Sequence, residues 1–331
     1  MKAASIQTQN LSIGFGKGSE ENCLQSGLNL TLQSGELIGV IGPNGIGKST
    51  LLRTLSGLQA PLDGTILIND KQLQRYTKRA LAQTIAFVST EWINISHLRV
   101  FDLVALARFP YSNWLGQLNR TDRLLVSESL ELTGVLNLQD RLFNTLSDGE
   151  KQRVLVARSL AQETPVLIMD EPAAFLDMAH KFELIRTLHT LSREKNKLIL
   201  ISIHDIEVAI QEADKILLLH RRGLSEGSPE DLILNGSLPS IFSEALLQFD
   251  IDRGSFYLPR EPGTILPLKG EGIRWVWTEK ALAKAGFRCV PATTQDDTYV
   301  AVETDSWVLH QKAKNSVFNS LGELIKSLSS K

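Results

Sequence analysis

The sequence predicts an α/β protein built on a buried parallel sheet, followed by a smaller α+β domain at its C-terminal end. Unbroken apolar runs of strand length recur at Leu37–Ile41, Ile85–Val88, Val166–Met169 and residues 198–203, with helical patterns between them, as in a sheet covered on both faces. A glycine-rich turn from Gly42 to Ser49 leads from the first of these runs directly into helically spaced leucines. The pattern then changes after residue 252: Pro259, Pro262, Gly263, Pro267, Gly270 and Gly272 mark a linker-like boundary, and three of the five tryptophans lie beyond it.

At 331 residues the chain is long for one core and predicts two domains. An apolar fraction of 43% and a charged fraction of 22% are those of an ordinary globular protein. A net charge of −2 argues against a nucleic-acid or anionic-lipid binder. Cys23 and Cys289 are far apart and predict buried thiols in a reducing compartment, not a disulfide framework. Polar and apolar residues alternate after Lys2, which predicts no signal peptide. No run approaches about 18 apolar residues, so a soluble, cytosolic chain is expected.

Residues 5–14 alternate as an edge strand does, and Phe15 then sits between Gly14 and Gly16, where a turn residue is the ordinary reading. Residues 28–32 read as a half-buried strand, and Ser34-Gly35 turns into the run at Leu37. In Gly42-Pro43-Asn44-Gly45-Ile46-Gly47-Lys48-Ser49-Thr50, the strand, loop and helix order points backbone N–H groups and the helix dipole at one spot. That is a phosphate cradle: Lys48 reaches the β- and γ-phosphates of a nucleotide, and the Ser49 hydroxyl suits Mg²⁺. Leu51, Leu52, Leu55 and Leu58 predict a helix that Gly57 ends. A turn at 61–64, a strand at 65–68 and a helical stretch at 79–83 follow.

Residues 91–145 predict amphipathic helices, one with Val100, Leu103, Val104 and Ala107 on one face, another marked by Leu124, Leu125, Leu132 and Val135 with Thr121-Asp122 as cap. Between them, Arg108-Phe109-Pro110-Tyr111-Ser112-Asn113-Trp114 is not helical through Pro110 and reads either as a loop packing its own rings or as a docking surface. Ser147 precedes a helix as an N-cap does. Asp170 and Glu171 close the run at Val166, at the sheet edge where ligands bind in such folds. The first carboxylate suits Mg²⁺ and the second suits orienting an attacking water. His204 ends the next run at the same edge, which favours a phosphate contact. A helix with Phe182, Ile185, Leu188 and Leu191 on one face lies between them, and a strand from Lys215 closes the sheet.

In order and spacing these motifs resemble the nucleotide-binding subunit of an ABC transporter over about residues 5–250. Gly42 to Thr50 matches the Walker A loop, Leu146-Ser147-Asp148-Gly149-Glu150 the signature, Val166 to Glu171 the Walker B strand and catalytic glutamate, Ala174 to Asp177 the D-loop, and His204 the switch histidine. Phe15 falls where the family keeps an aromatic residue that stacks on adenine, which raises that reading above the turn. The stretch from Leu103 to Trp114 and the segment Ala161-Gln162-Glu163-Thr164-Pro165 look most like the ATPases of iron–siderophore, haem and cobalamin importers. The resemblance implies a P-loop NTPase domain over 1–255, a mixed sheet with a RecA-like core, carrying a helical subdomain over about 91–162. A small accessory α+β domain over 256–331 follows. It further implies ATP and Mg²⁺, the metal on Ser49 and Asp170, and a homodimer in which Ser147 and Gly149 of one subunit cover ATP on Lys48 of the other. A membrane permease docked on the 90–115 region, an external substrate-binding protein and a place on the cytoplasmic face of a bacterial inner membrane complete the expectation.

Two departures stand out. The signature usually reads Leu-Ser-Gly-Gly-Gln, so Asp148 and Glu150 add charge beside a triphosphate unless they face away or pair with Lys151 or Arg153. The Q-loop glutamine is missing after Val88, where Thr90, as a water-mediated Mg²⁺ contact, and Glu91 are the candidates. Rival classes are a soluble ABC ATPase that moves no cargo and a nucleotide-gated regulatory cassette; one cassette per chain and the near-neutral charge favour the permease partner. The C-terminal piece reads β-α-β-β-α, with Trp275 and Trp277 on a strand and Val317, Phe318, Leu321, Leu324, Ile325 and Leu328 on the last helix. A dimer-stabilising cap and a ligand-sensing module are its two readings.

Overall fold

The computed structural model describes residues 4–16, 22–89, 97–112, 117–241, 247–251, 254–259, 263–293, 296–312 and 314–329. They form two compact units, one of Met1–Glu244 with Ile251–Ser255, the other of Ala245–Asp250 with Phe256–Lys331.

The first unit begins with β1 (Ser5–Phe15), β2 (Asn22–Leu28), β3 (Thr31–Gln33), β4 (Leu37–Ile41), α1 (Lys48–Leu55), β5 (Asp63–Ile68), β6 (Lys71–Gln72), α2 (Lys78–Ala82) and β7 (Ile85–Val88). Contrary to expectation β1 is no edge strand, since it pairs antiparallel with β2, β3 and β5. Alternation reports one buried face, here Ile6, Leu11 and Ile13, and is silent on how many neighbours a strand has. The continuous strand expected at 28–32 is broken between β2 and β3, and Leu58 lies beyond α1, 65% exposed.

The sheet and its flank are completed by α3 (Val100–Ala105), α4 (Arg120–Leu132), α5 (Asp148–Ala161), β8 (Val166–Met169), α6 (Met178–Glu194), β9 (Leu198–Ser202), α7 (Ile206–Glu212), β10 (Lys215–His220) and β11 (Gly223–Gly227), then α8 (Pro229–Leu234) and α9 (Ser237–Ser240). The six-stranded sheet runs β11-β10-β4-β9-β8-β7, parallel except at β11. β4, β8 and β9 are buried at every position, as their unbroken apolar runs require. Ile6, Leu11 and Ile66 of the antiparallel sheet meet Ile38, Val40 and Leu200 of the parallel one, with Leu51, Leu52 and Leu55 of α1 in the same cluster. That packing fixes α1, and with it the loop at its head.

In the helical part the cap of α4 is Asn119, whose side chain forms a reciprocal box with Asp122, rather than Thr121. The inward face of α4 is Asp122, Val126, Ser129 and Leu130; Leu124 and Leu132 point outward. The inward carboxylate has a partner: Arg108 is buried, pairs with Asp122 at 2.8 Å and donates to the carbonyls of Ala161 and Gln162 at 3.0 and 3.2 Å. Arg108 is therefore an internal tie and not part of a docking surface. A 3₁₀ turn runs through Pro110, closed by Ser112 N–H onto the carbonyls of Arg108 and Phe109. Asn113 and Trp114 lie outside the described residues.

Asp214, at the foot of β10, accepts from Leu37 N–H at 2.8 Å and from Arg193 at 2.5 Å, with His189 at 3.4 Å. Burial pushes its carboxyl up, but the hydrogen bonds from Leu37, Arg193 and His189 outweigh it and hold the group below the usual aspartate value. A depressed native pKa stabilises the fold above the unfolded value, about 4, and the contribution fades as pH falls through the native one. Asp214→Asn is expected to lose about 2 kcal/mol at pH 7. In urea titrations at stepped pH, the gap from the parent protein should close below about pH 4.

The second unit holds β12 (Gln248–Asp250), β13 (Ser255–Tyr257), β14 (Thr264–Lys269), α10 (Gly272–Lys284), β15 (Phe287–Pro291), β16 (Tyr299–Val302), β17 (Trp307–Gln311), β18 (Lys314–Phe318) and α11 (Leu321–Ser329). Its five-stranded sheet runs β15-β14-β16-β17-β18 over a core of Leu266, Leu268, Leu282, Val300, Trp307, Leu309 and Leu324. Two expectations fail here. Trp275 and Trp277 are on α10, not a strand, and β14 occupies the stretch read as linker. Val317 and Phe318 belong to β18, and α11 starts only at Leu321, where Ser320 Oγ accepts from Glu323 N–H at 3.2 Å. The cysteines differ as well: Cys23 is exposed and Cys289 half-buried, and burial raises the Cys289 thiol to about 11.

Candidate functional site

The loop between β4 and α1 turns on glycines in the left-handed region. Gly47 caps α1 at φ 111°, and a side chain there would press Leu24 at 3.3 Å. The buried Lys48 folds back over its own loop, its Nζ donating to the carbonyls of Gly42 and Pro43 at 2.8 and 3.2 Å. Burial lowers the Lys48 pKa, and the Glu171 and Asp170 carboxylates oppose that. Gln25, from the neighbouring sheet, is buried and ties the loop down by donating to the carbonyls of Ile46 and His220 at 3.3 and 3.1 Å.

One open cleft is lined by Phe15, Leu24, Asn44, Gly45, Gly47, Lys48, Ser49, Thr50, Glu171 and His204. Phe15, at the end of β1, is 53% exposed at its mouth, a free ring face for a flat ligand. Strand register brings in the acids. β8 lies beside β9 with Met169 opposite Ile201, so Asp170 and Ser202 emerge side by side. Ser202 donates to Asp170 Oδ1 at 2.7 Å and accepts from the Glu171 N–H at 2.8 Å. Glu171 itself stands at φ 49°, its carboxylate hydrogen-bonded to His204 Nε2 and its carbonyl receiving Gln152 Nε2 at 3.3 Å.

The signature residues do not line this cleft. Ser147 caps α5, and Glu150 supplies the other half of a capping box: its carboxylate accepts from Ser147 N–H at 2.8 Å and from Ser147 Oγ at 3.0 Å. The backbone hydrogen bond from Ser147 holds the Glu150 carboxyl below its ordinary value. Asp148 pairs with Lys151 at 3.3 Å, so both added acids have local partners. A side chain on Gly149 would meet the Phe175 carbonyl at 3.2 Å, which keeps the signature turn against the D-loop of its own chain. Asp177 caps α6, accepting from His180 N–H at 2.9 Å. Thr90 and Glu91 lie outside the described residues. Gln25, Gln152 and Ser202 are the polar residues that motif reading missed; β-strand register would have found Ser202, and nothing local marks the two glutamines.

A nucleotide-type phosphate loop, a carboxylate and a histidine on one cleft, with the buried Asp170 directly before that carboxylate, define an ATPase cassette. A family model described as ABC transporter matches residues 25–174, and one described as Iron ABC transporter C-terminal domain matches 263–329. An uncharacterised ABC transporter ATP-binding protein of Methanocaldococcus jannaschii is 36% identical over 258 residues, covering 78% of this chain and 88% of the relative. The iron(3+)-hydroxamate import ATP-binding protein of Bacillus subtilis is 33% identical over 239 residues, 72% of this chain and 87% of its own. A dimeric ATP-binding cassette in a post-hydrolysis state, bound to ADP and Pi, matches with a TM-score of 0.61 at 25% identity, over 68% of this chain and 98% of that one. The chain belongs to the ATP-binding proteins of ABC transporters, and its reaction is ATP hydrolysis. Cassettes of this family form dimers and work with membrane permease components. No helix among the described residues is long and apolar enough to cross a membrane.

Proposed function

We propose that this chain is the ATPase of an importer for iron–siderophore, haem or cobalamin-type chelates, acting as a homodimer under a membrane permease on the cytoplasmic face of a bacterial inner membrane. An external substrate-binding protein delivers the cargo. The observation that carries this reading is the match of 263–329 to a family model described as Iron ABC transporter C-terminal domain, in the same chain as a cleft lined by Lys48, Ser49, Glu171 and His204. The 1–255 and 256–331 division is proposed on the same ground, with the C-terminal piece as an accessory domain.

In this reading Phe15 stacks on adenine, and the Gly42–Thr50 loop, with Lys48, neutralises the phosphates. Ser49 and Asp170 are oxygen donors of the kind Mg²⁺ takes, and among the described residues no three His, Cys, Asp or Glu gather into a cage. Two protein ligands plus phosphates and water suit that ion, which would spread the charge developing on the transferred phosphoryl group. Glu171 accepts a proton from the attacking water, and His204, already hydrogen-bonded to Glu171, holds the γ-phosphate in line. Ser147, Asp148, Gly149, Glu150 and Asp177 of the second subunit close the nucleotide in, and Thr90 or Glu91 stands in for the Q-loop glutamine.

The test is uptake. Vesicles holding the chain with its permease and binding protein, loaded with ATP, are expected to accumulate a radiolabelled ferric siderophore well above an ADP control. Accumulation of unrelated solutes such as amino acids, with none of iron chelates, haem or cobalamin, would sink the cargo class. ATP turnover with no permease bound at all would leave a soluble ATPase instead.

A further inference from the structure

Glu171 carries an unfavourable backbone: a glutamate at φ 49° occupies the left-handed region that non-glycine residues avoid. Such a residue stays there only if its surroundings over-determine it. Here buried side chains reach both flanking peptide groups. The N–H goes to Ser202 Oγ at 2.8 Å, and the carbonyl accepts from Ala174 N–H at 3.0 Å and, as a second bond, from Gln152 Nε2 at 3.3 Å. Ser202 is 2% and Gln152 1% exposed, so water does not compete for either bond. The Ser202 proton is committed to Asp170 Oδ1 at 2.7 Å, which turns a hydroxyl lone pair toward the Glu171 N–H.

We infer that Ser202 and Gln152 are positioning residues that hold Glu171 in its left-handed conformation and so set the reach of its carboxylate. The inference rests on Glu171 being the group that activates water. Neither residue needs to touch nucleotide. Losing the hold would leave ATP binding intact while letting the carboxylate drift from line, a misplacement that costs turnover and not affinity. Gln152 has a second consequence, because it sits on α5, whose first turn carries Ser147. One helix thus joins the signature of a subunit to its own catalytic glutamate.

The experiment compares Ser202→Ala, Ser202→Thr, Gln152→Met and Glu171→Gln in the full chain, measuring kcat, nucleotide affinity and melting temperature. Ser202→Ala and Gln152→Met are each expected to lower kcat on the order of 10–100-fold, with nucleotide affinity within about threefold of the parent. Ser202→Thr, which keeps the hydroxyl, should recover most of the loss. Should threonine not fit the buried site and the variant fail to fold, Gln152→Met decides alone, since methionine keeps the length and removes the amide that donates to the Glu171 carbonyl. Parent-like kcat in both Ser202→Ala and Gln152→Met, beside an inactive Glu171→Gln, overturns this inference and leaves the catalytic assignment standing. An active Glu171→Gln overturns both. A kcat loss that tracks lowered melting temperature and is not relieved by threonine also counts against it.

Discussion

Glu171→Gln is expected to bind ATP and to turn it over at least on the order of 10²-fold more slowly than the parent protein. Glutamine keeps the shape of the side chain and a hydrogen-bonding group toward His204, so the cleft should persist. It lacks a site for the proton of the attacking water, and phosphoryl transfer is then left with positioning and charge alone. Removing a negative charge beside the γ-phosphate also favours the loaded state, so a stable ATP-bound dimer should collect on gel filtration. Turnover within about tenfold of the parent would take the role of base away from Glu171.

Lys48→Ala is the second large effect. The ammonium rests on the Gly42 and Pro43 carbonyls, inside the loop that a phosphate chain would fill. Its stem is buried and cannot be replaced from solvent, and the Asp170 and Glu171 carboxylates lie close enough to oppose its loss of charge. Without it those acids face the phosphates unopposed. A fall in kcat/KM on the order of 10³-fold is expected, with weakened binding of a fluorescent ATP analogue in a titration. Arginine should not rescue it, since the longer planar fork does not fit a point-charge site. Parent-like nucleotide binding and turnover in Lys48→Ala would remove the phosphate loop from the reaction.

Motifs carried by consecutive residues were legible in the sequence. The loop from Gly42 to Thr50, the acids after β8 and His204 after β9 each follow a strand whose apolar run announces it, and one cleft collects Lys48, Ser49, Glu171 and His204. The full burial of β4, β8 and β9 was legible too, but not which strands and side chains partner one another. The alternation of β1 gave no hint that three strands flank it, and the inward Asp122 of α4 was invisible without Arg108. In the second unit Trp275-Val276-Trp277 mimics strand alternation over three residues, while the helix is betrayed only over a longer span by Thr278 and Leu282 facing the core. Val317 and Phe318 continue the apolar spacing of α11 by coincidence; the Ser320–Glu323 cap was the boundary signal. Ser202 acts on the neighbouring strand's end, Gln152 from a helix onto that same end, and Gln25 from one sheet to the next; spacing along the sequence reports none of these without the strand register.

The box between Ser147 and Glu150 bears on how two such chains meet and part. A serine has one proton to give, and in the lone chain Glu150 already holds it. In the proposed dimer, turning that hydroxyl to a neighbour's phosphate would exchange one anionic acceptor for another, so Ser147 would add little to the net free energy of closure and the grip would fall to the groups around it.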